Sequence, residues 1–574
     1  MTSPQPLRAP DGDRFGVAAA LREIGALLAI EGASRFKVRA FERGARTIES
    51  VPGNLEALVA SEDLTRLPGV GPVLASTIAE IVRTGSSSLL EDLRRRLPPG
   101  VAELSAVLSL PRIRMLHEAL GIASLAELEA ACRAGRVRSV KGFGEKTERK
   151  ILDDIAERAR HGQALLLHQA DDAAETLLGL LRTLPGVTQA EIAGSLRRRV
   201  EVTDRLVAVL AAEDVDAVMA RLEREARFRV DEGPRGHASL RMGGKVPVDL
   251  RVVEPVSFGA VWLWETSTAG HLEGLRARAA SRGLELTSEG LAGVSAPAES
   301  DVYEALGLPF VPPELREGQG EVEAAARGEL PSLVTRADLL GAVHCHTDAS
   351  DGRHSLEQMA RAADALGLSY LTITDHSPAA HYANGLSPER LRRQWDEIER
   401  VQERVSVRLL RGVECDILED GSLDCAPALL DQLDIVVASV HQRHRMDRAR
   451  MTQRIVTAMR QPWFKVWGHG LGRYVLRRPP IECDMDAVLD AIAGSRAAIE
   501  VNGDPHRLDL EPRWLREARL RGIRFVASCD AHSTRSIENL RFAVDMARRA
   551  GLARTDVLNT LPVDAFRAEV RPAV

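Results

Sequence analysis

The sequence predicts a multidomain chain with an α-helical N-terminal region, a mixed α+β middle and a C-terminal distorted β/α barrel. Three observations carry this expectation. The chain has 574 residues, too many for one ordinary hydrophobic core. From about Phe15 to Arg160 apolar residues recur at spacings of three and four, as in VAAALREIGALLAIEG and LASTIAEIVRTG, which is the period of short amphipathic helices. From about Val343 onward, short apolar runs such as SYLTITDHS, DIVVASVHQ, AAIEVNGD and RFVASCDAHS alternate with helical segments, the pattern of a parallel β/α domain.

Composition narrows the class. Charged residues make up 28% and hydrophobic ones 45%, the balance of a soluble globular protein. No apolar run approaches the ~20 residues that span a bilayer, so no membrane partner is expected. The opening MTSPQPLRAPDGDRF has no apolar core before a small-residue cleavage site and reads as a polar tail, giving a cytoplasmic expectation. The six cysteines form no CxxC pair. Cys345, Cys415 and Cys529 lie within apolar runs, so buried thiols are expected rather than disulfides or a zinc ribbon. A net charge of −6 argues against wholesale coating of nucleic acid but leaves room for a local basic track.

In the helical region, LTRLPGVGPVLASTIAEI places Gly69 and Gly71 between two helical patterns. A glycine-bearing hairpin lets backbone N–H groups at a helix start meet a phosphate, giving DNA contact without sequence readout. VKGFGEKTERKIL repeats the device with Gly142 and Gly144, and Lys141, Lys146 and Lys150 add charge. Either copy alone could be an ordinary helical corner; two copies favour the DNA reading. These residues resemble the helix-hairpin-helix motifs of family X DNA polymerases, and FKVRAFERGARTIES resembles the first helices of their small N-terminal domain. Some relatives use a Schiff-base lysine to remove a deoxyribose phosphate; here ASTIAEI puts Thr77 nearest that position.

The middle continues the resemblance in AGSLRRRVEVTDRLVAVL, Ala193 to Leu210. In that family a Gly-Ser turn and arginines precede a strand with two aspartates two residues apart, which share one face and hold two metal ions with a third aspartate. The matching nucleotide-binding positions are Gly194, Ser195 and Arg198, within the run Arg197 to Arg199, and the third aspartate matches Asp249. The strand positions fall on Arg205 and Val207. A guanidinium 4 Å from a divalent cation is repelled by roughly 8 kcal/mol at an effective dielectric of 20. A one-residue slip would bring in only Asp204. A degenerate nucleotide site, with templated synthesis weak or lost, is therefore expected. ETSTAGHLEGLRARAASRGLEL only loosely resembles the nucleotide-binding segment after the palm, and LSLPRIRMLHEALGI lacks the glycine hairpin expected there.

The C-terminal part is rich where the middle is poor. HCHTDASDG supplies His344, His346 and Asp351; TITDHS supplies His376; RGVECDI supplies Glu414; ASVHQ supplies His441; WGHG supplies His469; SCDAHS supplies Asp530 and His532. Nearly all follow apolar runs, and in a β/α barrel the C-terminal strand ends converge on one mouth. Imidazoles and carboxylates suit zinc, manganese or iron, and closely spaced ions activate water and stabilise the leaving oxygen of a phosphoester. From about Leu340 the set resembles the polymerase-and-histidinol-phosphatase (PHP) domain. That resemblance implies a trinuclear site: His344, His346, Glu414 and Asp530 around one metal, Glu414 bridging to a second held by His441 and His469, and Asp351, His376 and His532 around a third. It assigns the catalytic roles to Asp530, His532 and Glu414. WGHGLGR departs from the proline that many relatives carry after the histidine. Arg473, Arg507 and His381 are further candidates for phosphate contact, with plain solvation as the alternative.

The order of parts resembles bacterial family X DNA polymerases with a C-terminal PHP domain. It implies domains at 1–88 and 89–163 (helix-hairpin-helix, the second fingers-like), 164–256 (nucleotidyltransferase-like palm), 257–320 (thumb-like), 321–338 (linker) and 339–574 (PHP). The implied function is a DNA repair protein acting mainly as a metal-dependent 3′–5′ exonuclease or 3′-end phosphoesterase, with Mn2+ or Zn2+ as cofactor. Gapped, nicked or 3′-recessed DNA is the expected partner, in a nucleoid-associated bacterial setting; no protein partner can be inferred. Three alternatives stay open: an active gap-filling polymerase, a small-molecule phosphatase of the histidinol-phosphatase type, and a non-catalytic DNA-end scaffold.

Overall fold

The computed structural model describes residues 14–570 apart from 32, 50–54, 61, 62, 68, 97–103, 105, 106, 162, 163, 225–227, 230–234 and 243–245. The polar tail of the first 13 residues lies outside the described set. The chain forms two compact units, Met1–Ala164 with Ala220–Asp249, and Leu165–Met219 with Leu250–Val574. No helix among the described residues is long and apolar enough to cross a membrane.

The first unit begins with helices whose apolar stripes meet. Val17, Leu21, Ile24 and Leu28 of Arg14–Ile30 pack with Phe41, Ala45 and Ile48 of Arg35–Glu49 and with Leu74, Ile78 and Ile81 of Pro72–Thr84. A second core gathers Ile113 and Leu116 of Leu110–Leu120, Leu128 and Cys132 of Leu125–Arg133, and Phe143, Ile151 and Ile155 around Glu145–His161. The turn before Pro72–Thr84 is formed by Gly69, with φ of 77°, and Gly71, followed by Pro72 in the first helical turn. Gly142, with φ of 91°, occupies the same place before Glu145–His161. Lys141, Gly142, Gly144 and Lys146 are all exposed.

The second unit contains the helix Leu167–Leu181 and the antiparallel pair Val187–Ala193 and Leu206–Ala212, in which Ala193 faces Val207. Helices Phe258–Thr266, Ala269–Ser281 and Glu299–Ala305 share a core of Leu263, Leu275, Val302 and Tyr303. The helix Glu321–Arg327, in the stretch read as a linker, adds Val322 and Ala325 to that core. At its start Glu321 meets His271 Nδ1 at 2.6 Å, while His271 Nε2 lies 3.1 Å from the Tyr303 hydroxyl.

The rest of this unit is a closed barrel of seven strands, Gly341–Cys345, Tyr370–Ile373, Arg408–Asp416, Ile435–Ser439, Val466–Trp467, Ala498–Asn502 and Phe525–Ala531. Every pairing is parallel. Several outer helices start where the sequence supplies a cap: Ser355, Ser387, Asp447 and Asp484 accept the backbone N–H three residues on. Val343, Leu410, Val437, Val466, Ala498 and Val526 build the core, closed by Phe566 and Val570 of the helix Val563–Val570. The Tyr370 ring stacks on Phe566 with centroids 4.9 Å apart. A Cβ at Gly341 would lie 2.0 Å from the Tyr370 ring, so the first strand needs glycine there. Cys345, Cys415 and Cys529 are buried thiols, as their apolar settings predict.

Candidate metal centre

The C-terminal ends of the barrel strands bring all nine expected ligand-type residues together. Three or four at a time, their ligand atoms lie within 4.8 Å of one another: His346, Asp351, His376 and His532; His344, His469 and Asp530; His344, His346 and Glu414; His376, Glu414 and His441. Among the described residues these are the groups of His, Cys, Asp and Glu that could hold a metal ion. Glu414 stands at the junction. Its Oε1 lies 2.8 Å from His469 Nε2 and 3.1 Å from His441 Nε2, whereas its Oε2 lies 3.0 Å from His376 Nδ1 and 3.3 Å from His344 Nε2. The two carboxylate oxygens therefore face different sets of imidazoles, as bridging requires. His344, His346 and Glu414 group as expected; His346 lies in addition with Asp351, His376 and His532, and His469 in addition with His344 and Asp530.

The donor set fits divalent cations. His344 Nε2, both ring nitrogens of His346, His376 Nδ1 and Glu414 Oε2 are buried with no hydrogen-bond partner. Buried polar atoms are normally paired, and several orphans aimed into one cluster mark a site that takes an electrophile. Burial opposes charge on Glu414, but the imidazoles of His344, His441 and His376 outweigh it and hold the carboxyl well below the usual range. Burial likewise opposes charge on Asp530, and His344, His346, His532 and Arg507 hold its carboxyl well below normal. Burial, together with His532 and His376, lowers His346 to about 4, which leaves a neutral ring. His344, His469 and Asp530 have φ of 64°, 26° and 46°, a region side chains other than glycine rarely adopt. Such strain persists where surrounding contacts dictate the geometry.

Three supporting carboxylates were not singled out from the sequence. Glu500, fully buried on Ala498–Asn502, accepts from His344 Nδ1 at 2.5 Å, from Ser528 Oγ at 2.6 Å and from the His469 backbone N–H. That hydrogen bond fixes the His344 tautomer with Nε2 free for a metal. Asp416 shares a strand face with Glu414 and bonds His441 Nδ1. Asp375 accepts from the Thr347 N–H at 2.8 Å and from Ser350 and Gln394, fixing the loop that carries Asp351. A lone glutamate inside the apolar AIEVN was the available signal.

The two arginines expected at phosphate separate. Arg507 Nε is buried without a hydrogen bond, 3.3 Å from Asp530 Oδ2, and its guanidinium lies over the Tyr474 ring at 4.5 Å. Arg473 differs from the expectation because its donors are engaged: with the carbonyls of Arg507 (2.8 Å) and Leu508, and with Glu201 and Glu511, each at 3.3 Å. His381 is exposed on the turn His381–Ala383.

The middle of the chain also departs from the expectation. Ser195 Oγ lies 2.7 Å from Thr203 Oγ1. Arg197 forks onto Glu299 at 2.7 and 2.6 Å and lies over the Trp262 ring. Arg198, expected near nucleotide, is largely buried, donating to the Thr266 carbonyl at 2.6 Å and to Glu317 at 3.2 Å. Arg199 joins Asp171 and Asp545. The arginine run thus lies among internal carboxylates because those acids are the nearest partners of its desolvated guanidinium groups. Gly194 sits against Val207, whose side chain a Cβ there would approach to 3.1 Å. The strand Leu206–Ala212 carries no carboxylate; Arg205 is exposed 3.8 Å from Asp204, and Asp249 accepts from Ser239 Oγ at 3.1 Å. Thr77 is buried in its helix and donates to the Val73 carbonyl.

Four known domain families match successive parts of the chain. The helix-hairpin-helix domain family matches residues 14–87, the SAM-like helix-hairpin-helix tandem family 112–157, the DNA polymerase beta thumb family 261–317 and the PHP domain family 342–502. The chain is 30% identical over 554 residues to the DNA polymerase/3′–5′ exonuclease PolX of Bacillus subtilis (strain 168), covering 94% of this chain and 96% of that one. It is 29% identical over 236 residues to a probable phosphatase of Thermoanaerobacter sp. (strain X514), covering 38% of this chain and 89% of that protein. A probable phosphatase of Vibrio parahaemolyticus is 29% identical over 241 residues, covering 39% of this chain and 90% of that one.

Proposed function

The chain belongs to the family of PolX-type DNA polymerase/3′–5′ exonucleases, and from that premise we propose that it acts in DNA repair mainly as a metal-dependent 3′–5′ exonuclease through its barrel, with templated synthesis weak or lost. One contrast carries the reading. Nine ligand-type side chains with orphaned donor atoms converge at the barrel mouth, while the strand Leu206–Ala212 offers a metal nothing.

His344, His346, Asp351, His376, Glu414, His441, His469, Asp530 and His532 would hold up to three ions, manganese or zinc. Bound there, such ions supply Lewis acidity, lowering the pKa of water and stabilising charge on the leaving oxygen. The chain's own groups do the positioning. Glu500 and Asp416 orient the imidazoles, Glu414 joins the subsites, and Arg507, whose Nε lies beside Asp530, offers its guanidinium to a nonbridging phosphate oxygen. Water adds to phosphorus, the P–O3′ bond breaks, the 3′-oxygen takes up a proton, and a nucleoside 5′-monophosphate leaves. The hairpins around Gly69, Gly71, Gly142 and Gly144, with Lys141 and Lys146, would grip the backbone of gapped, nicked or recessed DNA.

A labelled 3′-recessed duplex incubated with the purified chain and Mn2+ tests this. We expect shortening from the 3′ end, a loss of about 100-fold or more in Asp530→Ala, and no extension across a one-nucleotide gap when deoxynucleotides are added. Efficient gap filling, with degradation indifferent to Asp530→Ala, would overturn it. A second reading, hydrolysis of small phosphomonoesters, is favoured by the names of the probable phosphatases that align with this chain. Faster turnover of histidinol phosphate than of DNA ends would select it.

A further inference from the structure

We propose that Tyr382 is the nucleobase platform of the barrel mouth, the surface on which the base of the terminal nucleotide stacks while its phosphate lies among the nine ligands. The inference rests on the exonuclease reading and adds to it the feature that would make the site take a nucleotide in preference to a compact phosphomonoester.

Tyr382 is 66% exposed, which leaves its ring free to take a stacking partner. It sits beside the chemistry. Its ring centroid is 6.2 Å from that of His376 and 6.2 Å from that of His441, at interplanar angles of 63° and 64°. Neither imidazole is stacked on it, so the ring borders the ligands without being covered by them. The other tyrosine at this mouth is engaged: guanidinium groups of Arg478 and Arg507 each lie 4.5 Å from the Tyr474 centroid.

The turn that carries Tyr382 is held firmly. Asn384 takes the left-handed conformation, with φ of 56°, and donates to the Ala349 carbonyl at 3.1 Å. Arg390 donates to the carbonyls of Asn384 and Gly385 at 2.9 and 3.1 Å, and a Cβ at Gly385 would lie 2.0 Å from the Ser377 carbonyl oxygen. The ring is therefore presented on a braced turn whose ends are fixed to the loop that follows His376 and the loop that carries Asp351. A braced, uncovered aromatic next to a phosphate-cleaving centre is suited to any base, because every base has a π-face.

A full-length duplex bearing 2-aminopurine as its 3′-terminal base, behind a cleavage-resistant phosphorothioate link, reads the contact directly. Binding by the wild-type chain should quench the fluorescence by stacking. Tyr382→Ala should leave it largely unquenched and raise KM for 3′-recessed DNA about tenfold, with kcat for a small phosphomonoester and bound-metal content unchanged. Tyr382→Phe should retain the quench. Equal quenching by the wild type and Tyr382→Ala, or none by the wild type, would overturn the platform even if the wild type degrades DNA from its 3′ end. If quenching depends on Tyr382 but no DNA is cleaved, the platform stands and the exonuclease reading falls.

Discussion

Glu500 shows how much of the site lies one layer behind the groups that would touch a metal. Its carboxylate is fully buried and takes hydrogen bonds from His344, Ser528 and the His469 backbone, so it orients two ligands at once. Removing such a partner typically weakens metal binding 10- to 100-fold. Glu500→Gln, nearly isosteric, should therefore lower metal affinity by that range in a chelator competition, while circular dichroism stays that of the folded barrel. Unchanged affinity would mean the imidazoles are oriented by packing alone. The nine ligand-type residues stand out in the sequence because nearly all end or follow an apolar run. Glu500, Asp375 and Asp416 do not, because their roles depend on which residue barrel closure brings opposite. His344, the partner of Glu500, lies 156 positions away.

At the scale of elements, the hairpins and the arginine run illustrate opposite outcomes. Each hairpin is local: a glycine with positive φ, then a helix start, all within a few residues, so sequence spacing alone specifies it. Lys141 and Lys146 flank the second hairpin on the exposed side. If they meet phosphates, Lys141→Ala with Lys146→Ala should weaken DNA binding evenly across unrelated sequences and reduce the slope of log affinity against log salt by about 2. Fluorescence anisotropy at several salt concentrations measures this, and a loss confined to one sequence would contradict it. The run Arg197 to Arg199, in which the family resemblance puts Arg198 near nucleotide, turns to partners that are remote in sequence. Glu299 is 102 positions from Arg197, and Asp545 is 346 from Arg199. Missing carboxylates on Leu206–Ala212 could be seen in the sequence; the destination of the neighbouring charges could not.

Across the second unit, those charges join the middle of the chain to the barrel. Glu201 pairs with Arg473 at 3.3 Å and with Arg549, Arg199 reaches Asp545, and Arg548 reaches Glu314 at 2.7 Å. The Glu201, Arg473 and Arg549 side chains are 15%, 10% and 10% exposed, so solvent and salt screen these pairs little. Arg473 also holds the Arg507 and Leu508 carbonyls, which places Glu201 two contacts from the Arg507 backbone. The order of parts was legible from the change of periodicity along the chain; this seam was not, because it joins positions that no local pattern connects. Its behaviour in acid follows from charge. Burial would raise the Glu201 carboxyl, but Arg549 and Arg473 outweigh it and hold it below the usual value. A depressed carboxyl contributes stability that is complete above the unfolded value, about 4.3, and fades as pH falls through the folded one. Glu201→Gln should therefore lower the thermal midpoint at pH 7, consistent with a loss of roughly 3 kcal/mol for breaking a buried pair. The gap between variant and wild type should close at pH values below the folded value, where the wild-type carboxyl is protonated too. A gap as wide in acid as at neutrality would mean that shape, and not charge, holds the middle of the chain to the barrel.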